Sequence, residues 1–166
     1  MNGNETNGPA AEPPAAPAIR ALLRDYANAI DRGSLKRWPD FFADACQYRI
    51  TTRENVERGF PLSIMLCTNR AMLFDRIEAT EKANVYEPHG YRHVLSESEI
   101  EAGPDGAAFV RTSFLCIRIM LTGDMTLFAC GEYLDEVVDE GGRAVFRSRT
   151  VVLDSSKIDT LIAIPL

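Results

Sequence analysis

Apolar runs free of charge, such as Leu161 to Leu166, fall far short of the roughly 20 residues that a membrane-spanning helix needs, so no membrane segment is expected. Positive charge is the minority sign. The chain has 18 Lys and Arg against 24 Asp and Glu, for a net charge of −6. Its basic residues stand singly or in pairs such as Lys36-Arg37, and without a basic stripe nucleic-acid binding is not expected. Glycine-rich phosphate loops and the G-x-S-x-G elbow are missing, and Gly141-Gly142 falls between two strand-like stretches rather than between a strand and a helix. Cysteine never occurs as C-x-x-C. The four cysteines stand at 46, 67, 116 and 130, and Cys116 and Cys130 lie in apolar runs where cysteine behaves as a small hydrophobe. Reduced thiols in a cytosolic protein are the expectation.

What is present is enough for one good core. With 166 residues and 46% apolar composition, one compact domain is expected, spanning residues 18–166. Residues 1–17 hold four of the nine prolines and no Lys or Arg. They read as a disordered tail rather than a signal or transit peptide.

From Ala18 to Arg32, Ile19, Leu22, Leu23, Tyr26 and Ile30 recur at helical spacing, and Gly33 ends the helix. A short strand follows around Cys46–Thr51, then a charged connector at 53–60. A second helix is expected from Asn69 to Lys82, supported by the Glu78–Lys82 spacing. Turn signals at Gly103–Gly106, Thr122–Asp124 and Glu140–Gly142 cut residues 91–153 into four long strands joined as hairpins. Helices followed by a meander predict an α+β domain with N-terminal helices packed on a curved antiparallel sheet. The cone-shaped, cystatin-like fold of nuclear transport factor 2 and ketosteroid isomerase has this order of elements.

Both faces of Phe109–Leu121 are largely apolar, with Arg111 and Arg118 on opposite faces. A lone sheet layer would leave one such face wet, so part of this surface is expected to meet a partner. The closing run, with Leu161, Ile162, Ile164 and Leu166, points the same way. Trp38, Phe41 and Phe42 suit either a partner's hot spot or a plug under the first helix.

The only histidines, His89 and His93, are four apart, but Pro88 and Gly90 argue against a helix. In an extended strand they would lie roughly 13 Å apart, too far to share a metal ion. No Cys-x-His with a Cys-x-x-His partner occurs, so the chain cannot ligate a Rieske cluster by itself. For acid–base work in a cone-shaped cavity the candidate trio is Asp44, Tyr48 and His93, which would make the chain a stand-alone isomerase or dehydratase.

At Trp38-Pro-Asp-Phe-Phe42, Cys46-Gln-Tyr-Arg-Ile50, Met72-Leu-Phe-Asp-Arg76, Asn84-Val-Tyr-Glu87, Tyr91-Arg-His93, Gly131-Glu-Tyr-Leu134 and Asp159–Leu166, the chain resembles the small, or β, subunit of aromatic-ring-hydroxylating dioxygenases. The likeness is to subunits that act with terephthalate, anthranilate or salicylate oxygenases. It implies a non-catalytic assembly subunit, three copies of which sit beneath three large α subunits. The Rieske [2Fe-2S] cluster and mononuclear Fe(II) would lie on the α subunit, fed from NAD(P)H through a separate reductase or ferredoxin. No catalytic, cofactor-binding or metal residue carries over to this chain. Interface roles are expected for Trp38, Tyr91, Arg92, His93 and Arg118.

Overall fold

The computed structural model describes residue 13 and residues 15–82, 88–157 and 162–166. The expected tail therefore lies almost wholly outside the described residues, as do Asn84–Glu87 and the start of the closing run. Helix α1 spans Ala16–Asp31, beginning two residues before the expected start with Pro17 in its first turn, where the missing proline N–H costs nothing. It buries the expected stripe of Ile19, Leu22, Leu23, Tyr26 and Ile30. Gly33, at φ +70°, turns the chain out of the helix. A 3-10 turn over Leu35–Phe41 then leads into strand β1, Phe42–Thr52.

The charged connector contains a short helix, α2 (Arg53–Glu57), whose first turn is capped by the Thr52 hydroxyl accepting from Asn55 N. After it come β2 (Met65–Cys67), which the sequence pattern did not reveal, and α3 (Arg70–Lys82). Asn69 Oδ1 accepts from Met72 N at 3.0 Å and so starts α3 where expected. Lys82 and Glu78 form the expected ion pair.

The first of the four expected meander strands is broken into β3 (His89–Leu95) and β4 (Glu99–Ala102). The others follow the turn signals: β5 (Ala108–Met120), β6 (Met125–Glu140) and β7 (Arg143–Leu153). Among the described residues, seven strands form one sheet in the order β2-β1-β7-β6-β5-β3, with β4 also paired to β5. One feature departs from an all-antiparallel meander, because β1 runs parallel to β7. The sheet is mixed and stays open at β2 and β3. Bulges between Cys116 and Ile117 and between Glu136 and Val137 each add a residue on one strand, which bends the sheet around α1.

In β5 the even positions Val110, Thr112, Phe114 and Cys116 are buried and the odd positions face out. The concave face holds a dense aromatic cluster. Tyr26 meets Phe41, Phe42, Tyr133 and Phe146 edge-on, and Phe114 stacks on Tyr133 with ring centres 4.4 Å apart.

Amid these rings lies a fully enclosed ion pair. Arg149 on β7 donates from Nε and Nη2 to the two carboxylate oxygens of Asp135 on β6, at 2.8 and 2.7 Å. The guanidinium lies 4.0 Å from the ring centres of Tyr26 and Phe146 and 4.2 Å from that of Tyr133. Burial works against the Arg149 charge, but the Asp135 carboxylate and its hydrogen bonds outweigh it and hold the guanidinium above its ordinary range. Arg149→Met leaves Asp135 buried and unpaired, and is expected to lose about 3–5 kcal/mol in urea unfolding, whereas adding Asp135→Leu restores most of it. A second expected lesion is Gly131→Ala. A Cβ there would sit 1.9 Å from the Val152 carbonyl oxygen, so β6 and β7 must separate, at a cost of about 3 kcal/mol by the same measurement.

Candidate functional site

The acid–base trio does not assemble. Asp44 lies on the outer side of β1 with its side chain 91% exposed, bound to Arg70 at 2.9 Å. A carboxylate in water cannot share an apolar pocket with Tyr48, which is fully enclosed. His93 is committed elsewhere: its Nδ1 is 2.7 Å from Asp31 Oδ1, and its backbone N–H donates to Asp31 Oδ2 at 2.9 Å. Asp31, the last residue of α1, thus ties the helix to the open edge of the sheet at β3. This link was missed from sequence because it joins residues 62 apart.

The interior of the cone is filled by the chain's own Ile162–Leu166. The closing run was expected to be costly in water and to seek a partner; its described residues instead bury themselves here, with Leu166 fully enclosed. Tyr26 and Tyr48 each donate a hydroxyl hydrogen bond to the Leu166 main-chain oxygen, at 2.8 and 3.0 Å. Leu166 N lies 3.0 Å from the Tyr48 hydroxyl oxygen, which accepts from it. Trp38 Nε1 donates to the Tyr26 hydroxyl at 3.1 Å, and its ring meets Tyr48 edge-on at 4.9 Å. Burial lifts the hydroxyls of Tyr26, Tyr48 and Tyr133 above the ordinary phenol range, the last two most strongly. They are therefore protonated donors rather than bases. From α3, Arg76 Nη2 donates to the carbonyl of Ile162, and the Thr80 hydroxyl, which donates to the Arg76 carbonyl at 2.9 Å, lies 3.3 Å from that of Ala163.

Trp38 is consequently a core residue, with no surface of its own to offer a partner. Tyr91 and His93 also face inward. Tyr91 stacks on Phe128, ring centres 5.3 Å apart, and the half-buried Arg118 lies over the same ring at 5.1 Å. Of the five residues expected at an interface, Arg92 is the one whose side chain stands well out in water. The four cysteines are free, and burial raises the Cys46 thiol to about 11. Among the described residues no group of three or more His, Cys, Asp or Glu side chains is placed to hold a metal ion, and no helix is long and apolar enough to cross a membrane.

The outward face of the sheet is the converse of its interior. Cross-strand register places Val94 opposite Leu115, Ile117 opposite Leu127 and Ile119 opposite Met125, with Arg92 beside Ile117. Leu127 and Met125 are 62% and 69% exposed, which makes this a contiguous apolar ridge in water. A second exposed apolar group, including Phe60, Leu62, Ile64 and Phe74, lies toward the β2 edge.

The family model for the ring hydroxylating beta subunit matches residues 25–160. The chain is 40% identical over 148 residues to subunit beta 1 of the terminal oxygenase component of terephthalate 1,2-dioxygenase from a Comamonas species, covering 89% of this chain and 96% of that one. It is 34% identical to the anthranilate 1,2-dioxygenase small subunit of Burkholderia cepacia, over 89% and 92% of the two chains. Its fold is similar to a crystal structure assigned as the beta subunit of an aromatic-ring-hydroxylating dioxygenase from Novosphingobium aromaticivorans, with a TM-score of 0.83, 32% identity and coverage of 92% and 97%. The chain is a member of the β-subunit family of aromatic-ring-hydroxylating dioxygenases.

Proposed function

We propose that this chain serves as the assembly subunit of a ring-hydroxylating dioxygenase acting on an aromatic carboxylate, in a cytoplasmic hexamer of three α and three β chains. The observation that carries the reading is the division between inside and outside. The interior that a cone-fold enzyme would use for substrate is taken by Ile162–Leu166, while the apolar ridge of β3, β5 and β6 is left for a partner. The substrate class is supported by the relatives, whose names specify terephthalate and anthranilate, both aromatic carboxylates.

In this reading the Rieske cluster and the mononuclear iron belong to the α subunit, which receives electrons from NAD(P)H through a separate reductase or ferredoxin. This chain contributes shape and rigidity. Arg92, standing beside the ridge, and the half-buried Arg118, held over Phe128, are the polar contacts that specify the fit. Tyr91, His93 and Trp38 act from beneath, by fixing the strands that present them.

Co-expression with the α subunit and native mass spectrometry test this. Arg92→Ala, Arg118→Ala and Leu127→Asp are each expected to shift the hexamer toward free chains while leaving iron per folded α chain unchanged. Hexamer mass unaltered in all three would refute the assignment of these faces.

A further inference from the structure

Strand β3 is an outer strand of the sheet, and helix α1 ends against its open side. Ser96 N donates to Ser113 O, so in this antiparallel ladder the even residues of β3 turn their main chain toward β5 and the odd ones, His93 and Leu95, turn theirs outward. Asp31 meets the outward edge at His93 N, and no strand among the described residues pairs with it. An edge in this state is a template for an added strand.

Between the edge and α1 lies a groove of about 420 Å³. Leu23, Ala27 and Leu95 give it an apolar lining, and Arg20, Arg24 and Arg92 line it with positive charge, in a chain whose net charge is −6. Two carboxylates also line it. Asp31 has a side chain only 4% exposed and is committed to His93, which leaves Glu97 as the one standing in water. Arg24 contacts its neighbour Asp25 in an exposed pair that is readily exchanged, and Arg92 comes no nearer than 4.0 Å to Asp31. From Arg20 to Asp31 the helix wall runs roughly 16 Å, room for about five residues of extended chain.

We propose that this groove takes an extended acidic segment of the α subunit, which adds to the open edge of β3 and sets its carboxylates against Arg20, Arg24 and Arg92. Because Asp31 caps the His93 N–H, pairing starts at the His93 carbonyl and continues through Leu95. The inference rests on the assembly reading above and adds a second contact to it. Arg92 borders both the ridge and the groove, so a segment leaving one enters the other without a break. A second copy of β3 is a poor occupant, since it would bring its own Arg92 against these arginines.

The test uses the chain co-expressed with its α subunit. With photoreactive benzoylphenylalanine in place of Glu97, irradiation of the purified hexamer is expected to join this chain to one acidic α segment, identified by peptide mass mapping. Arg24→Glu, alone and with Arg20→Glu, is expected to raise the concentration for half-assembly about tenfold at low salt and far less at high salt, with the Tm of the free chain unchanged. Arg24 is exposed, so the single variant reports even where the double variant fails to fold. Changing the mapped α carboxylate to lysine is expected to restore assembly with Arg24→Glu. Crosslinks to a second copy of this chain, or to an α segment without acidic residues, overturn the proposal, as does unaltered assembly of Arg24→Glu at low salt. If Leu127→Asp breaks the hexamer while Arg24→Glu leaves it intact, the groove assignment falls and the assembly reading stands; a chain that forms no complex with α refutes both.

Discussion

Arg149 and Asp135 sit where water cannot reach them, and the cost of stripping two charges of solvent is met only when both nitrogens of the fork face both oxygens of the carboxylate. That requirement sets the register of β6 on β7. From the turn at Gly141-Gly142, Glu140 pairs Arg143 and Val137 pairs Phe146; continued without interruption, this spacing would put Asp135 against Ser148. The bulge between Glu136 and Val137 shifts the pairing by one residue and brings Asp135 opposite Arg149. Around this point the rings of Tyr26, Tyr133 and Phe146 close, and Tyr26 carries the constraint onward to α1, Trp38 and Leu166.

The same cone architecture can hold a substrate or hold itself. Here the hydroxyls of Tyr26 and Tyr48 are spent on the main chain of Leu166, and the His93 imidazole, facing inward from β3, is tied to Asp31. Apolar surface is instead displayed on the convex side, where a monomer has no use for it. The chemistry has in effect moved from the hollow of the sheet to its back, consistent with a subunit whose contribution is to be bound.

Much of this was legible in advance. The stripe from Ile19 to Ile30, the three glycine-bearing turns and the strand-length runs between them are short-range patterns, and each maps onto an element of the fold, whereas Phe109–Leu121, apolar on both faces, did not show which face turns inward. What remained hidden depends on distance along the chain. Alternation in Cys46–Thr51 announces a strand but neither its neighbour nor its direction, so the parallel union of β1 with β7 could not be read. Hydrophobicity in Ile162–Leu166 announces burial but not whose interior receives it. Trp38 could equally have been a plug or a hot spot, and only its position against Tyr48 decides for the plug. Asp135 carried a faint signal, sharing its face with Tyr133 and Val137, but the bulge conceals its partner.

The pairing of β1 with β7 bears on how the chain is made. Strand β1 begins at Phe42, yet the neighbour that covers one of its edges is the last strand, ending at Leu153. During synthesis at about 5–20 residues per second, the aromatic face of β1 must wait roughly five to twenty seconds for its partner. Until then β1 has the short β2 and helix α3 to lean on, and α1 has the 3-10 turn and, later, β3. Closure of the sheet is therefore a late, long-range event, of the kind that folds slowly and exposes strand edges while it waits. The segment holding Ile162–Leu166 then enters a cone whose walls are already in place, so the hydrogen bonds that complete the interior belong to the final step of folding.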